Sequence, residues 1–111
     1  MAVDRVATFQ SFIARNPADP FPRYGLAMEW RSRGDLAASA AAFDELLAAF
    51  PDYVPAYLMV AGVYATVGRQ ADRLATLRRG LEVAAARGDA HAGKELDAAL
   101  AEALSSAADP G

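Results

Sequence analysis

The side chains able to do chemistry are few and far apart in this chain. His91, the one histidine, could act as a general base or as a metal ligand. A base needs a nucleophile and an orienting partner within hydrogen-bond reach, and no such set accompanies it, so it reads as a surface histidine near the start of a helix. A single histidine and no cysteine leave no multi-histidine metal site, thiolate site, disulfide framework or cysteine nucleophile. Asp44 and Glu45 are adjacent, which on a helix points them about 100° apart, so they read as a solvated face rather than an acid–base pair. The eight glycines are scattered and form no phosphate-cradling loop. Arg87-Gly88-Asp89 spells an adhesion tripeptide, but a glycine C-cap followed by an aspartate N-cap explains it structurally. No catalytic, cofactor-binding or metal residue is therefore assigned, and the chain reads as a non-enzyme.

Composition narrows the class further. The chain has 111 residues, the size of a single domain. Of its 54% apolar residues many are alanine, 28 in all, which favours helices packed closely through small side chains. The net charge of −3 argues against a dedicated nucleic-acid binder. Residues 1–15 lack the apolar core of a signal peptide, and no apolar run approaches a membrane span, so the expected location is the cytoplasm. Charge is uneven along the chain. Residues 69–87 hold five arginines against two acids, and residues 88–111 hold one lysine against five acids. The simple expectation is that the last helix folds back on the basic one with exposed ion pairs between them; binding of an acidic partner by the arginines is the sharper alternative.

Breakers divide the chain into helices. Asn16-Pro17, Asp19-Pro20, Gly34-Asp35, Phe50-Pro51-Asp52, Gly68 and Arg87-Gly88-Asp89 interrupt the pattern. Between them the spacing predicts six helices at about 3–15, 21–33, 36–49, 55–67, 70–87 and 90–105, with 106–111 as a frayed tail. The helices repeat with a period of 34 residues. Gly34 lands on Gly68, Pro17 on Pro51, Leu26 on Val60, Ala27 on Ala61 and Trp30 on Tyr64. Three copies align in the other helix type: Val6, Ala40 and Leu74; Phe9, Phe43 and Leu77; Phe12, Leu46 and Gly80; Ile13, Leu47 and Leu81. The first helix is thus an orphan copy of the third and fifth, and helix pairs of this kind stack face to face.

This pattern resembles the tetratricopeptide repeat. The first repeat carries it in Leu26-Ala27, Trp30, Gly34, Phe43 and Pro51, and the second in Tyr57, Val60-Ala61, Tyr64, Gly68 and Leu77. The segment from Gly80-Leu81 to Lys94-Glu95-Leu96 is similar to the tail of some small bacterial members. The resemblance implies an all-α fold, a right-handed α-α superhelix of helix pairs. One domain, 1–108, would comprise the orphan helix, repeat one at 20–53, repeat two at 54–87 and a capping helix at 90–105. The sequence departs from the family at Arg23, where tryptophan is usual. It departs again at Ser39 and Arg73, where alanine is usual at the close crossing, and an arginine buried there unpaired would be costly.

The resemblance also implies a function, protein–protein interaction through a concave groove that holds extended or helical peptide. Groove positions carried over from the family are Phe21, Tyr24, Gly25, Met28 and Arg31 in repeat one, and Leu58, Met59, Gly62, Ala65 and Thr66 in repeat two. Chaperone-binding members clamp a terminal carboxylate; the matching positions here, Tyr24, Met28 and Met59, cannot pair with one. The lining is apolar instead, and its methionines can repack around different shapes. The expected partner is another protein or peptide, without nucleic acid, membrane or cofactor. The alternative is a self-associating, weakly homodimeric module whose groove is covered by its own chain. A small helical enzyme or ligand-binding domain is a remote third option.

Overall fold

The computed structural model describes residues 4–108, and all six of the helices described there are α-helices, with no strand among the described residues. They are α1 (Arg5–Arg15), α2 (Phe21–Ser32), α3 (Leu36–Ala49), α4 (Val54–Val67), α5 (Gln70–Arg87) and α6 (Ala90–Ala108). Most ends follow from local chemistry. Asp4 caps α1 by accepting from the N–H groups of Val6 and Ala7 at 3.1 and 3.3 Å, so this helix begins at Arg5 rather than at 3; Val3 lies outside the described residues. Asp19 accepts from Phe21 N at 3.0 Å at the start of α2, Asp35 from Ala38 N at 3.1 Å in α3, and Asp89 from Ala92 N at 3.0 Å in α6. Pro22 and Pro55 occupy first-turn positions where a missing N–H costs nothing. Gly34 and Gly68, one repeat apart, take φ of +80° and +79°, a left-handed conformation that glycine adopts without strain. At its far end α6 continues through Ala108, past the expected end at 105, because alanines at 107 and 108 favour helix. The rest of the expected tail, 109–111, lies outside the described residues.

The described residues form two compact units that divide between Phe50 and Pro51. In the N-terminal unit α2 packs against both α1 and α3. Phe43 and Leu46 of α3 are fully buried, with Ala27 of α2 beside them. Tyr24 meets the Phe43 ring edge-on at 6.0 Å, a favoured aromatic geometry. Ser39, the polar residue at the close crossing, is also fully buried and donates its hydroxyl to the Ala27 carbonyl at 2.8 Å, which removes the penalty of burying it. Of the α1 residues, Val6 is buried and Phe9 and Ile13 half-buried, whereas Phe12 turns outward at 44% exposure. Around the helix Val6, Ile13 and Phe9 fall within about 60° of one another, and Phe12 lies about 60° beyond Phe9, at the edge of that face.

In the C-terminal unit α5 packs against both α4 and α6. Tyr57, Val60, Ala61, Val63 and Tyr64 from α4, Leu77 and Ala84 from α5 and Leu96 and Ala103 from α6 form the core. The Tyr57 hydroxyl donates to the Pro51 carbonyl at 2.6 Å, and Gln70 bridges α5 to α6 by donating to the Ala103 carbonyl at 3.0 Å. The tight approach of this unit lies at Gly80. A Cβ there would sit 2.8 Å from Tyr57 Cβ and 3.1 Å from a Leu96 methyl. Arg73, at the position equivalent to Ser39, is only half-buried, so its charge is not sealed in an apolar crossing. No helix among the described residues is long and apolar enough to cross a membrane.

Candidate partner-binding site

The α4 sequence contains no charged residue, and its buried side faces α5 through Tyr57, Val60, Ala61 and Tyr64. What remains on the other side is Pro55, Leu58, Met59 and Gly62, spaced three and four apart so that they share a face. Leu58 and Met59 are half-buried, and Gly62 has open space where a side chain would stand. This face forms one wall of a cleft of about 260 Å³ whose other wall is α6. Val54, Pro55, Leu58 and Met59 meet Ala92 and Leu96 across it, and Asp89, His91 and Glu95 stand at its edge. The last helix therefore forms one wall of this cleft. Leu96 is buried behind it, while Leu58 and Met59 keep exposed surface.

The α2 residues expected to line a groove lie in the other unit. Phe21 is 62% exposed, Arg31 is exposed, and Tyr24 and Met28 are half-buried. Burial raises the Tyr24 phenol above its ordinary pKa, partly offset by the Arg31 guanidinium. Gly25 does not line a groove. It faces α1, where the Phe9 ring would collide with any added Cβ. Phe21 instead joins Phe9, Phe12 and Pro22 in a second hollow of about 380 Å³ at the α1–α2 elbow, edged by Arg15 and Asp19. The Arg15 guanidinium lies 5.2 Å from the centroid of the Phe12 ring.

The charges are arranged differently from the expected α5–α6 lattice of ion pairs. Arg69 bonds Asp72 within α5 at 2.8 Å, and Arg87 reaches Asp52 ahead of α4 at 3.6 Å. Arg73, Arg78 and Arg79 form no ion pair with the α6 acids. The α5–α6 seam is made of Leu77, Gly80, Ala84, Leu96 and Ala103, all buried, and the acids of α6 face away from it. His91 is paired on its own helix with Glu95 at 2.9 Å and is 86% exposed. No group of three or more acidic, histidine or cysteine side chains is placed to hold a metal among the described residues.

No protein-family model and no curated protein matches the sequence. Solved structures do. A tetratricopeptide repeat domain protein from Salinibacter ruber, solved in solution by NMR, is 36% identical with a TM-score of 0.74, over 78% of this chain and 88% of that one. The chain belongs to the tetratricopeptide repeat family. A crystal structure of a tetratricopeptide repeat domain protein from the same organism agrees, with a TM-score of 0.73 at 35% identity over 78% of this chain and 97% of that one. The TPR2B-domain:pHsp70 complex of yeast Sti1 shares the fold, with a TM-score of 0.82 at 21% identity over 91% and 81% of the two chains. The all-α class and the helix pairs implied by the repeat signature are thus the fold of this protein. Within this tetratricopeptide repeat chain the signature side chains Ala27, Phe43, Tyr57, Ala61, Tyr64 and Leu77 are buried, Leu26 and Trp30 half-buried, and Pro51 exposed with its carbonyl holding Tyr57. At the departure Arg23, the side chain is half-buried and its Nε is enclosed without a hydrogen-bond partner.

The family pattern did not single out the α6 wall. Asp89, Ala92, Glu95 and Leu96 follow the second repeat, and a repeat register says nothing of residues beyond it. One signal was present: His91, Glu95 and Glu102 fall within about 40° of each other around a helix, which marks a polar edge.

Proposed function

We propose that this protein is an interaction module that holds a peptide or helical segment of another protein and carries no chemistry of its own. The observation that supports it most is the open α4–α6 cleft. Its floor is apolar, one wall has no charge, and Leu58 and Met59 keep exposed surface inside a small domain. On this reading Leu58, Met59 and Gly62 contact the partner, and Phe21, Tyr24, Met28 and Arg31 offer contact surface on the N-terminal unit. The pHsp70 complex of yeast Sti1 is a precedent for the fold holding another protein. A carboxylate clamp is not part of the proposal, because Tyr24, Met28 and Met59 stand at its positions. The cytoplasm is the setting proposed.

A random displayed-peptide library panned against the protein tests this. The wild type is expected to enrich related sequences, and Met59→Glu to lose them with its helix content and melting midpoint unchanged. If the folded Met59→Glu protein enriches the same sequences, the cleft is not the site.

A second reading, self-association, is favoured by the α1–α2 hollow. Phe12 and Phe21 are exposed there, and the edge carries one cation and one anion. Under a two-fold axis such a patch complements itself, Arg15 of each copy meeting Asp19 of the other. Sedimentation over a broad concentration range is expected to show a dimer that Phe21→Ser disperses; a monomer at every concentration excludes it.

A further inference from the structure

We infer that the occupant of the α4–α6 cleft is a basic segment with an apolar anchor: a Leu, Met or Phe side chain seated between Leu58, Met59 and Ala92, with Lys or Arg beside it. This rests on the groove reading above and adds the chemical class of the partner. Three observations carry it. The α4 wall contributes no charge at all, so the sign of the field in the cleft is set by α6. The α6 edge is acidic, with Asp89 and Glu95 lining the cleft and Glu102 continuing the Glu95 stripe about two turns on. Finally, these acids are not consumed by the neighbouring basic helix, since Arg73, Arg78 and Arg79 form no ion pair with them. The internal partner at the cleft is His91, whose Nε2 lies 2.9 Å from Glu95 Oε1. Asp89 holds the first turn of α6 through one carboxylate oxygen, and a carboxylate accepts several hydrogen bonds. Segments bearing Asp or Glu next to the anchor would meet like charge along the whole edge, so the arrangement selects by repulsion as well as attraction.

The probe is a pair of synthetic peptides, one with a leucine flanked by lysines and its twin with every lysine replaced by glutamate, titrated against the intact protein by fluorescence anisotropy at low and at physiological salt. The lysine peptide is expected to bind and its twin not, with affinity falling as salt rises. Asp89→Asn with Glu95→Gln, which keeps the cap and the side-chain shapes, is expected to weaken the lysine peptide roughly tenfold, as two exposed charge contacts would. Glu45→Gln with Glu82→Gln, the same change in net charge elsewhere, is expected to leave it unchanged. Equal loss in both double variants, or equal binding of the twin peptides, overturns the charge assignment while leaving the groove standing. Binding of neither peptide, together with enrichment of acidic or uncharged library sequences that Met59→Glu abolishes, overturns it in the same way. If neither peptides nor library sequences bind at all, the groove reading fails with it. A doubled mass of the protein alone that Met59→Glu abolishes would assign the cleft to a second copy and overturn the inference.

Discussion

The helices α2 and α4 occupy the same place in consecutive repeats, yet they are held by different forces. Helix α2 has two buried residues, Pro22 and Ala27, and carries Arg23, Glu29 and Arg31. Its unit adds a polar set in which Arg33 reaches Glu29 at 3.2 Å and Asp4 at 3.4 Å, with Arg5 3.9 Å from Glu29. Helix α4 has seven buried residues and no charge. Exposed ion pairs contribute ~0–1 kcal/mol each, whereas burial of one large apolar side chain contributes about 1.5–3 kcal/mol. The N-terminal unit therefore leans on few core residues, Phe43 and Leu46 above all. The C-terminal unit has burial enough that its α4 face can stay partly open beside α6.

The largest effect expected from this contrast is at Phe43. It is fully buried and touches Tyr24 edge-on, so Phe43→Ala should destabilise by ~3–5 kcal/mol and lower the melting midpoint by roughly 12 °C or more. A midpoint that barely moves would mean that the N-terminal unit is not held by this side chain. A paired test at two α-helical glycines of the C-terminal unit comes next. Gly80→Ala forces a Cβ to 2.8 Å from Tyr57 Cβ, which no flexible tip can relieve, and should destabilise by ~1–3 kcal/mol. Gly62→Ala meets nothing within 4 Å and should stabilise by about 0.5–1 kcal/mol through helix propensity. Thermal or denaturant unfolding measures both; the same sign for the two would show that the helix crossing is misplaced.

The smallest effect is at Tyr24. Its phenol is raised above the ordinary 10.0 by burial, so folding favours the neutral form. Stability from this group is complete below pH 10 and is lost as pH rises through the folded pKa. The difference in phenolate-band absorbance between the wild type and Tyr24→Phe isolates this phenol and should rise only above pH 10, and the alkaline stability of Tyr24→Phe should fall less steeply there. Identical alkaline profiles would place Tyr24 in solvent.

Much of this molecule is decided within a few residues of chain. Asp4, Asp35 and Asp89 cap the helices they precede, Gly34 and Gly68 end the ones they follow, and the 34-residue recurrence pairs the helices, because capping bonds and left-handed turns need only neighbours in sequence. The repeat signature likewise marks Phe43 and Tyr57 as core, since a face that recurs at helical spacing must be buried by something. The tertiary structure decided the rest. That Gly25 faces the Phe9 ring, that Gly80 sits against Tyr57, that Phe12 turns outward and that the α6 acids avoid the α5 arginines all depend on where one helix axis crosses another. A shift of one residue along that crossing exchanges contacting faces, and composition and periodicity are the same before and after it. The α4–α6 cleft is of this kind: Leu58 and Met59 are legible as an apolar face, but only the packed position of α6 makes that face a wall with an acidic edge.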